Sequence, residues 1–440
     1  MKTQVESISP VKKRLSVEIP ADEVAREEEA ALRDVRRSVT LPGFRKGKAP
    51  LSLIRRHYGE RVRADVIGRL IEDTYRETLV KEQIVPVSDA DIQIQSMPEE
   101  GALAYTAVVE VRPEVEARTY AGLTLKKERV EVDEAEVDAQ LEQLRRRRAT
   151  YEPAPEGHEA TDGDMVVMDF EGTVDGEPFE GGSAEDRSVI LGAGVLVDGF
   201  EEQLKGAKAS EERTVEITFP EDHSNEALAG KTASFRVTVK EVKVRVLPEL
   251  DDEFAKDVAE VEGLEELRDR IRDEIRKEKE RAAEGRFRDR LIDALLEANP
   301  FEVPPSQVQS QLEYTLARMK EDLAMRGLDL AQIGIDEAQL RDSQRAAAER
   351  TVRWAYLLGA IARAEGIEIT DEDVDNRIRE IAEADGRPVS LVKSFFEQEG
   401  RIDGLRNYLL EQRVIEKVVE GCTVEEVDPE EIERGETADE

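Results

Sequence analysis

Glycine is unevenly spread along this chain, and that limits the folds open to it more than any other feature. Nine glycines fall between Gly163 and Gly206: Gly163, Gly172, Gly176, Gly181, Gly182, Gly192, Gly194, Gly199 and Gly206. They separate short runs of β-forming residues at 164–174, 187–191, 213–219 and 233–244, with one short helical stretch at about 199–204. Such spacing predicts a small antiparallel sheet domain over 157–246. From Leu247 onward the pattern changes to helical periodicity. Leu264, Leu267, Ile271, Ile275, Phe287, Leu291, Ile292 and Leu295 mark one long helix that stops before Pro300, and Val303-Pro304-Pro305 opens another. Further helices are predicted over about 306–326, 336–365, 371–384, 388–399 and 403–420, giving an all-α segment, 247–421. A chain of 440 residues exceeds one hydrophobic core and divides into domains.

The N-terminal third mixes both periods. Val5, Ile8, Val11, Leu15, Val17 and Ile19 suggest a strand or hairpin broken near Pro10, and a helix should follow Pro20 with Asp22 and Glu23 early and Arg36 and Arg37 late. A short helix over 50–57 precedes a longer one to about Gln83, whose apolar face is Val62, Val66, Ile67, Leu70 and Ile71. Strands at 91–97 and 102–111 complete an α+β domain, 1–112. The next segment, 113–156, reads as a linker plus one helix. Its start resembles a capping box, Asp133 with Glu136 three residues on. Arg145 to Arg148 at its end complement the helix dipole and the acids upstream rather than forming a second nucleic-acid patch. Residues 422–440 hold nine acids and one arginine, which predicts a disordered, solvated tail.

Charge excludes several functions. With a formal net charge of -37, most of the surface repels polyanions, which argues against a general nucleic-acid binder. The exception is local: between Phe44 and Arg63 lie seven basic residues (Arg45, Lys46, Lys48, Arg55, Arg56, Arg61, Arg63) and one acid, Glu60. This patch includes Gly43-Phe44-Arg45-Lys46-Gly47-Lys48-Ala49-Pro50, a cationic turn that carries an aromatic ring. By composition alone it suits any anionic partner. A single cysteine, Cys422, excludes an internal disulfide framework and a thiolate metal site. His57, His158 and His223 lack ligand spacing, so no metal is implied. Gly192-Ala193-Gly194 lacks the third glycine and the strand-to-helix setting of a phosphate loop, and nucleophile signatures are absent, so no cofactor is implied. The N-terminus lacks a signal-peptide core, and the best apolar run, 354–364, is short and holds Arg363. A cytoplasmic protein that makes no membrane contact is the expectation.

The middle domain resembles the FKBP-type peptidyl-prolyl isomerases. The resemblance rests on Gly163-Asp164, the run Val166-Val167-Met168-Asp169-Phe170-Glu171-Gly172, Asp175-Gly176-Glu177-Pro178-Phe179-Glu180, Gly192, Gly199-Phe200-Glu201-Glu202 with Leu204-Lys205-Gly206, and Phe219-Pro220. It implies a proline pocket walled by Phe170, Phe179, Leu196, Val197, Phe200 and Phe235, with Leu228 on a flanking flap. His223 stands where that family commonly has tyrosine, which alters the pocket rim and the expected strength of catalysis. The octapeptide 43–50 followed by Tyr58-Gly59, the inserted isomerase domain and the helical body opened by Leu247-Pro248-Glu249-Leu250 together resemble the trigger factor family over almost the whole chain. That resemblance implies a multidomain α+β architecture: a docking domain, an FKBP-like antiparallel sheet domain and an extended all-α chaperone body that includes the helix at 133–148. It also implies an ATP-independent, ribosome-associated chaperone acting in folding and export. Phe44, Arg45 and Lys46 would then dock on the large ribosomal subunit near the tunnel exit, touching protein and ribosomal RNA. Nascent or unfolded polypeptides are the implied clients, and a homodimer off the ribosome is an implied state. Leu312, Leu316, Met319, Leu323 and Met325 are read as core packing rather than client contacts. Two other functions fit the same residues: a free prolyl isomerase whose helices merely dimerise it, and an acidic scaffold with an inactive middle module.

Overall fold

The computed structural model describes residues 1–96, 102–194, 196–197, 199–219, 228–330, 332–398, 400–429 and 431–432. Strands β1 (Lys2–Ser9) and β2 (Lys12–Ile19) form an antiparallel hairpin around Pro10, followed by helices α1 (Ala21–Ser38) and α2 (Leu51–Lys81) and strands β3 (Asp91–Ser96) and β4 (Leu103–Glu110). The sheet order is β1-β2-β4-β3. Leu15, Val17 and Ile19 alternate on the inner face of β2 and pack with Val24 and Leu32 of α1 and Ile54, Val62 and Val66 of α2. The break expected between 57 and 62 is absent, because α2 is a single helix. A helical glycine costs roughly 1 kcal/mol against alanine, but Ile54 and Val62 on either side of Gly59 are both buried in the core and hold the helix through it. Tyr105 of β4 is buried, and its hydroxyl lies 3.0 Å from that of Thr74 on α2, so neither polar group is stranded.

After β5 (Thr124–Glu128) comes α3 (Glu134–Arg147), capped by the reciprocal Asp133 and Glu136 bonds that the sequence signals. Arg145 Nε donates to the Pro248 carbonyl at 2.7 Å, and Arg145 and Arg146 each lie 3.5 Å from Glu142. These arginines therefore fasten a helix end. Next are β6 (Thr150–Pro153), β7 (Met165–Val174), β8 (Glu177–Ile190), α4 (Phe200–Leu204), β9 (Glu212–Thr218) and β10 (Thr232–Val246). In this antiparallel sheet β10 pairs with β7 on one edge, while β9 and β6 share the other, beside Thr232–Thr238 and Lys243–Val246. The sheet thus begins within the expected linker 113–156, at Thr150. Four residues ending in proline are too short to show an alternating pattern, and only the pairing reveals them. Helix α5 (Asp252–Ala259) and the first turns of α6 (Leu264–Ala298) pack Phe254, Ala255, Leu267 and Ile271 against Val137 and Leu141 of α3.

The remaining elements are α7 (Pro305–Met325), α8 (Glu337–Glu365), α9 (Asp371–Ala384), α10 (Val389–Phe396), α11 (Arg401–Glu420) and β11 (Thr423–Val427). A core of Phe287, Leu291 and Leu295 from α6, Trp354, Leu357 and Ile361 from α8, and Val414 and Val418 from α11 includes Leu125 of β5. Core packing holds for Leu312 and Leu316, both buried, but not for Met325, which is 75% exposed. The expected disordered tail is also corrected at its start: β11 runs parallel to β5, with Glu425 opposite Lys126 and Glu426 opposite Lys127. Opposite charges in register offset the acidic composition there.

By compactness the chain divides into two units, Met1–Glu128 with Gly285–Glu440, and Arg129–Glu284. Both cuts differ from the composition boundaries at 112 and 246. At the edge of the first unit Glu128 is buried and accepts from Arg286 Nε at 2.9 Å and from Arg290 at 3.1 and 3.2 Å. The Arg286 hydrogen bonds, opposed by burial and aided by Arg290, hold its carboxyl below the ordinary 4.5. A depressed folded-state value means that this stabilisation is full above the unfolded value and is lost as pH falls through the folded one. Glu128→Gln should therefore cost about 1.5–3 kcal/mol at pH 7, read as a lower urea midpoint, with the deficit shrinking in acid. A deficit equal at pH 7 and pH 3 would contradict this account.

Candidate functional site

Alternation in β7 puts Met168, Phe170, Gly172 and Val174 on one face, and the register with β10 sets Phe170 beside Val237 and Gly172 beside Phe235. The absence of a side chain at Gly172 makes room for a ring. A Cβ there would fall 2.5 Å from Cε1 of Phe235. Register shifts in β8 lie opposite Glu171 and Thr173, and Gly181 within them has a positive φ of 81°. The displaced strand brings Phe179 to a ring-centroid distance of 6.0 Å from Phe235 and 6.3 Å from Phe219. Gly199, at φ 83°, ends the preceding loop and starts α4, whose first residue is Phe200. The Phe200 ring stands 5.2 Å from Phe235 and 6.0 Å from Phe170, and Phe170 is 6.0 Å from Phe235. All five contacts are edge-to-face, the arrangement that the aromatic quadrupole favours.

The structure thus brings Phe170, Phe179, Phe200 and Phe235 together. Phe200 and Phe235 form the floor at 4% and 6% exposure, while Phe170, Phe179 and Leu196 are half-buried against the same core. Val197 is 41% exposed beside them, and Leu228 is buried in that core. His223 lies outside the described residues. Phe219 is a further buried member of the cluster, a wall that the Phe219-Pro220 motif alone does not mark. On the opposite face, Lys240 Nζ lies 2.7 Å from Asp169 and 2.6 Å from Asp186. Those carboxylates, Asp169 first, raise the Lys240 ammonium well above its ordinary range, and the three side chains tie β7, β8 and β10 behind the site.

The rim loop has its own support, which sequence spacing does not reveal. Glu201 is a buried carboxylate whose Oε2 accepts from the backbone N–H groups of Gly192 at 2.8 Å and Gly194 at 3.1 Å, while Oε1 accepts from Leu196 N–H at 3.2 Å. One side chain therefore sets the path of the segment that delivers Leu196 and Val197. Glu201→Gln would face an amide donor with backbone donors. A loss of about tenfold in kcat/KM for proline peptides is expected, equivalent to roughly 1.4 kcal/mol. An unchanged kcat/KM would show that loop position does not matter to turnover.

In the other unit the cationic turn is built from short bonds, Phe44 N–H to the Leu41 carbonyl at 3.1 Å and Lys48 N–H to the Arg45 carbonyl at 2.9 Å. Gly43 and Gly47 take positive φ values of 87° and 79°, which only glycine adopts cheaply. Ala49 is buried and anchors the turn, whereas Phe44 is 39% exposed and Arg45, Lys46 and Lys48 are exposed. None of these three cations has an ion-pair partner among the described residues.

Comparison with known proteins decides the family. Residues 1–144 match the model for the bacterial trigger factor protein, 263–420 the model for its C-terminus, and 156–240 the FKBP-type peptidyl-prolyl cis-trans isomerase model. The chain is 42% identical to the trigger factor of Geobacter metallireducens, over 98% of this chain and 100% of that one. It belongs to the trigger factor family. The trigger factor of Geotalea daltonii is 40% identical over 99% of this chain and 100% of its own. A solved trigger factor chaperone structure has a TM-score of 0.53 at 21% identity, covering 96% of this chain and 99% of that one, a likeness of fold. As a member of the family the chain is a chaperone that acts in protein folding, and it carries an FKBP-type isomerase domain. Among the described residues no helix is long and apolar enough to cross a membrane.

Aromatic walls can perform this chemistry without an acid or base. Rotation about a peptide bond is opposed by ~18–20 kcal/mol because resonance gives the C–N bond double-bond character. Resonance also separates charge, so a planar imide is more polar than a twisted one. Enclosure by hydrocarbon therefore disfavours the planar state, and shape complementary to the twisted state stabilises the transition state selectively.

Proposed function

We propose that the chain docks on the large ribosomal subunit near the tunnel exit through Phe44, Arg45 and Lys46, receives emerging polypeptide there, and isomerises Xaa-Pro bonds at Phe170, Phe179, Leu196, Val197, Phe200 and Phe235. The observation that carries docking is the exposed, unpaired cationic turn on a chain of net charge -37. A localised positive patch steers an otherwise acidic body onto a polyanion in one orientation. Phe44 adds an apolar contact, and ribosomal RNA with an adjoining protein surface supplies both complements. Delivery at a fixed place suits the proline site, because uncatalysed prolyl isomerisation takes on the order of 10–100 s and limits folding. The family resemblance adds His223, which stands where those isomerases commonly have tyrosine, to the residues of this reading.

Off the ribosome the same face is free for a homodimer, and the locale is the cytoplasm. Cosedimentation of the intact chain with ribosomes across a salt series tests docking. Binding that weakens steadily with salt is expected, and no cosedimentation even at low salt would overturn it.

A further inference from the structure

The segment that presents Leu196 and Val197 also borders a cavity. This hollow, about 510 Å3, is lined by Asp162, Gly163, Gly192, Ala193, Lys205 and Arg245 among others. Arg245 is the penultimate residue of strand β10 and is half-buried. Its guanidinium lies against Gly163: a Cβ there would fall 2.6 Å from Cζ and 2.7 and 2.9 Å from Nη2 and Nη1. Gly163 has a φ of 92°, so both its backbone and the space above it require glycine. The seat is thus shaped for the planar group of Arg245. The lysine in the same hollow is already matched, with Lys205 Nζ 2.9 Å from Asp162. Arg245 has no hydrogen-bond or ion-pair partner among the described residues, although the chain holds 101 acidic side chains. A cation partly removed from water and left unpaired is costly, and a carboxylate entering the hollow would remove that cost by a charge-assisted, two-pronged pair.

Position relates this cavity to the aromatic cluster. Phe200 opens α4 and Lys205 follows its last residue, a rise of roughly 8 Å at about 1.5 Å per residue. An extended peptide advances about 3.3 Å per residue. A span of about 8 Å corresponds to two or three residues of extended chain, the separation from the prolyl bond at which a side chain would come level with the hollow.

We propose that this hollow is a subsite for an acidic side chain of the polypeptide being isomerised, recognised by Arg245. The inference rests on reading the aromatic cluster as the proline site. It gives the isomerase domain a preference that the aromatic walls, which touch only hydrocarbon, cannot supply. The test uses the full chain and a protease-free exchange assay on paired peptides, with glutamate or glutamine placed one to five residues to either side of a single Xaa-Pro bond. In the unaltered chain the glutamate peptide should exceed its glutamine twin in kcat/KM by about three- to tenfold at one or two adjacent positions, through KM and diminishing with salt. In Arg245→Gln the ratio should fall to one at every position, and Arg245→Lys should restore part of it. A ratio near one throughout in the unaltered chain, or a ratio that survives Arg245→Gln, would overturn the subsite. Turnover of both peptides that is indifferent to Phe200→Ala in a chain with a cooperative unfolding transition for the isomerase domain would instead remove the proline-site reading, and the subsite with it.

Discussion

Replacing Phe44, Arg45 and Lys46 together by alanine is expected to abolish cosedimentation with ribosomes at physiological salt and to leave the far-UV spectrum and urea midpoint unchanged. The fold should tolerate the change because all three side chains are exposed, and the turn is held by backbone bonds and by buried Ala49. The binding loss has two parts. If Arg45 and Lys46 face phosphates, removing the two cations should reduce the slope of log affinity against log salt by about 1.5–2. Removing the ring forfeits an apolar contact of about 1.5–3 kcal/mol if Phe44 is fully buried at the docking surface. Together these amount to at least about a hundredfold at physiological salt. Single variants separate the parts: Arg45→Ala should flatten the salt slope, whereas Phe44→Ala should weaken binding at every salt without changing it. Undiminished binding by the triple variant would place the docking surface elsewhere on the chain.

Much of this molecule was legible in its sequence where a local rule and the tertiary demand coincided. The capping box at Asp133 and Glu136 formed as spacing required, and the helix over 371–384 has the bounds that its periodicity gives. The misses share a cause. Both β6 and β11 are short strands whose stability comes from a partner far away in the chain, β10 and β5 respectively. Neither partner can be read from four or five residues of local pattern. The tail composition predicts solvation throughout, yet Glu425 and Glu426 meet Lys126 and Lys127 across the strand pair, and composition cannot anticipate register; residues 433–440 lie outside the described residues. Gly59 inside α2 shows the converse, a local breaker overridden by packing on both sides. At the site, the resemblance named the aromatic walls, while the clamp by Glu201 and the stacking of Arg245 on Gly163 depend on approaches that only coordinates display.

Phe200 is where the isomerase assignment can fail most sharply. Its ring meets both Phe170 and Phe235 and lies on the floor at 4% exposure, so a proline ring entering the cluster would rest on it. Phe200→Ala should lower kcat/KM for a proline peptide by about a hundredfold, equivalent to roughly 2.7 kcal/mol of transition-state stabilisation. Truncation also leaves a cavity costing about 3–5 kcal/mol, so lost activity alone would not distinguish a missing wall from an unfolded domain. Phe200→Leu resolves this. It keeps most of the buried volume at a cost below about 1.5 kcal/mol but removes the flat surface and its edge-to-face contacts. If the ring itself shapes the site for the twisted imide, the leucine variant should lose at least about tenfold in kcat with a near-native urea midpoint. Full activity in Phe200→Leu would mean that hydrophobic enclosure suffices and that the aromatic geometry is not what selects the transition state. Suppression of aggregation by the same variant should stay intact, since the helical core around Trp354 and Leu357 involves none of these rings. A parallel loss of that activity would make the proline cluster a general polypeptide-binding surface.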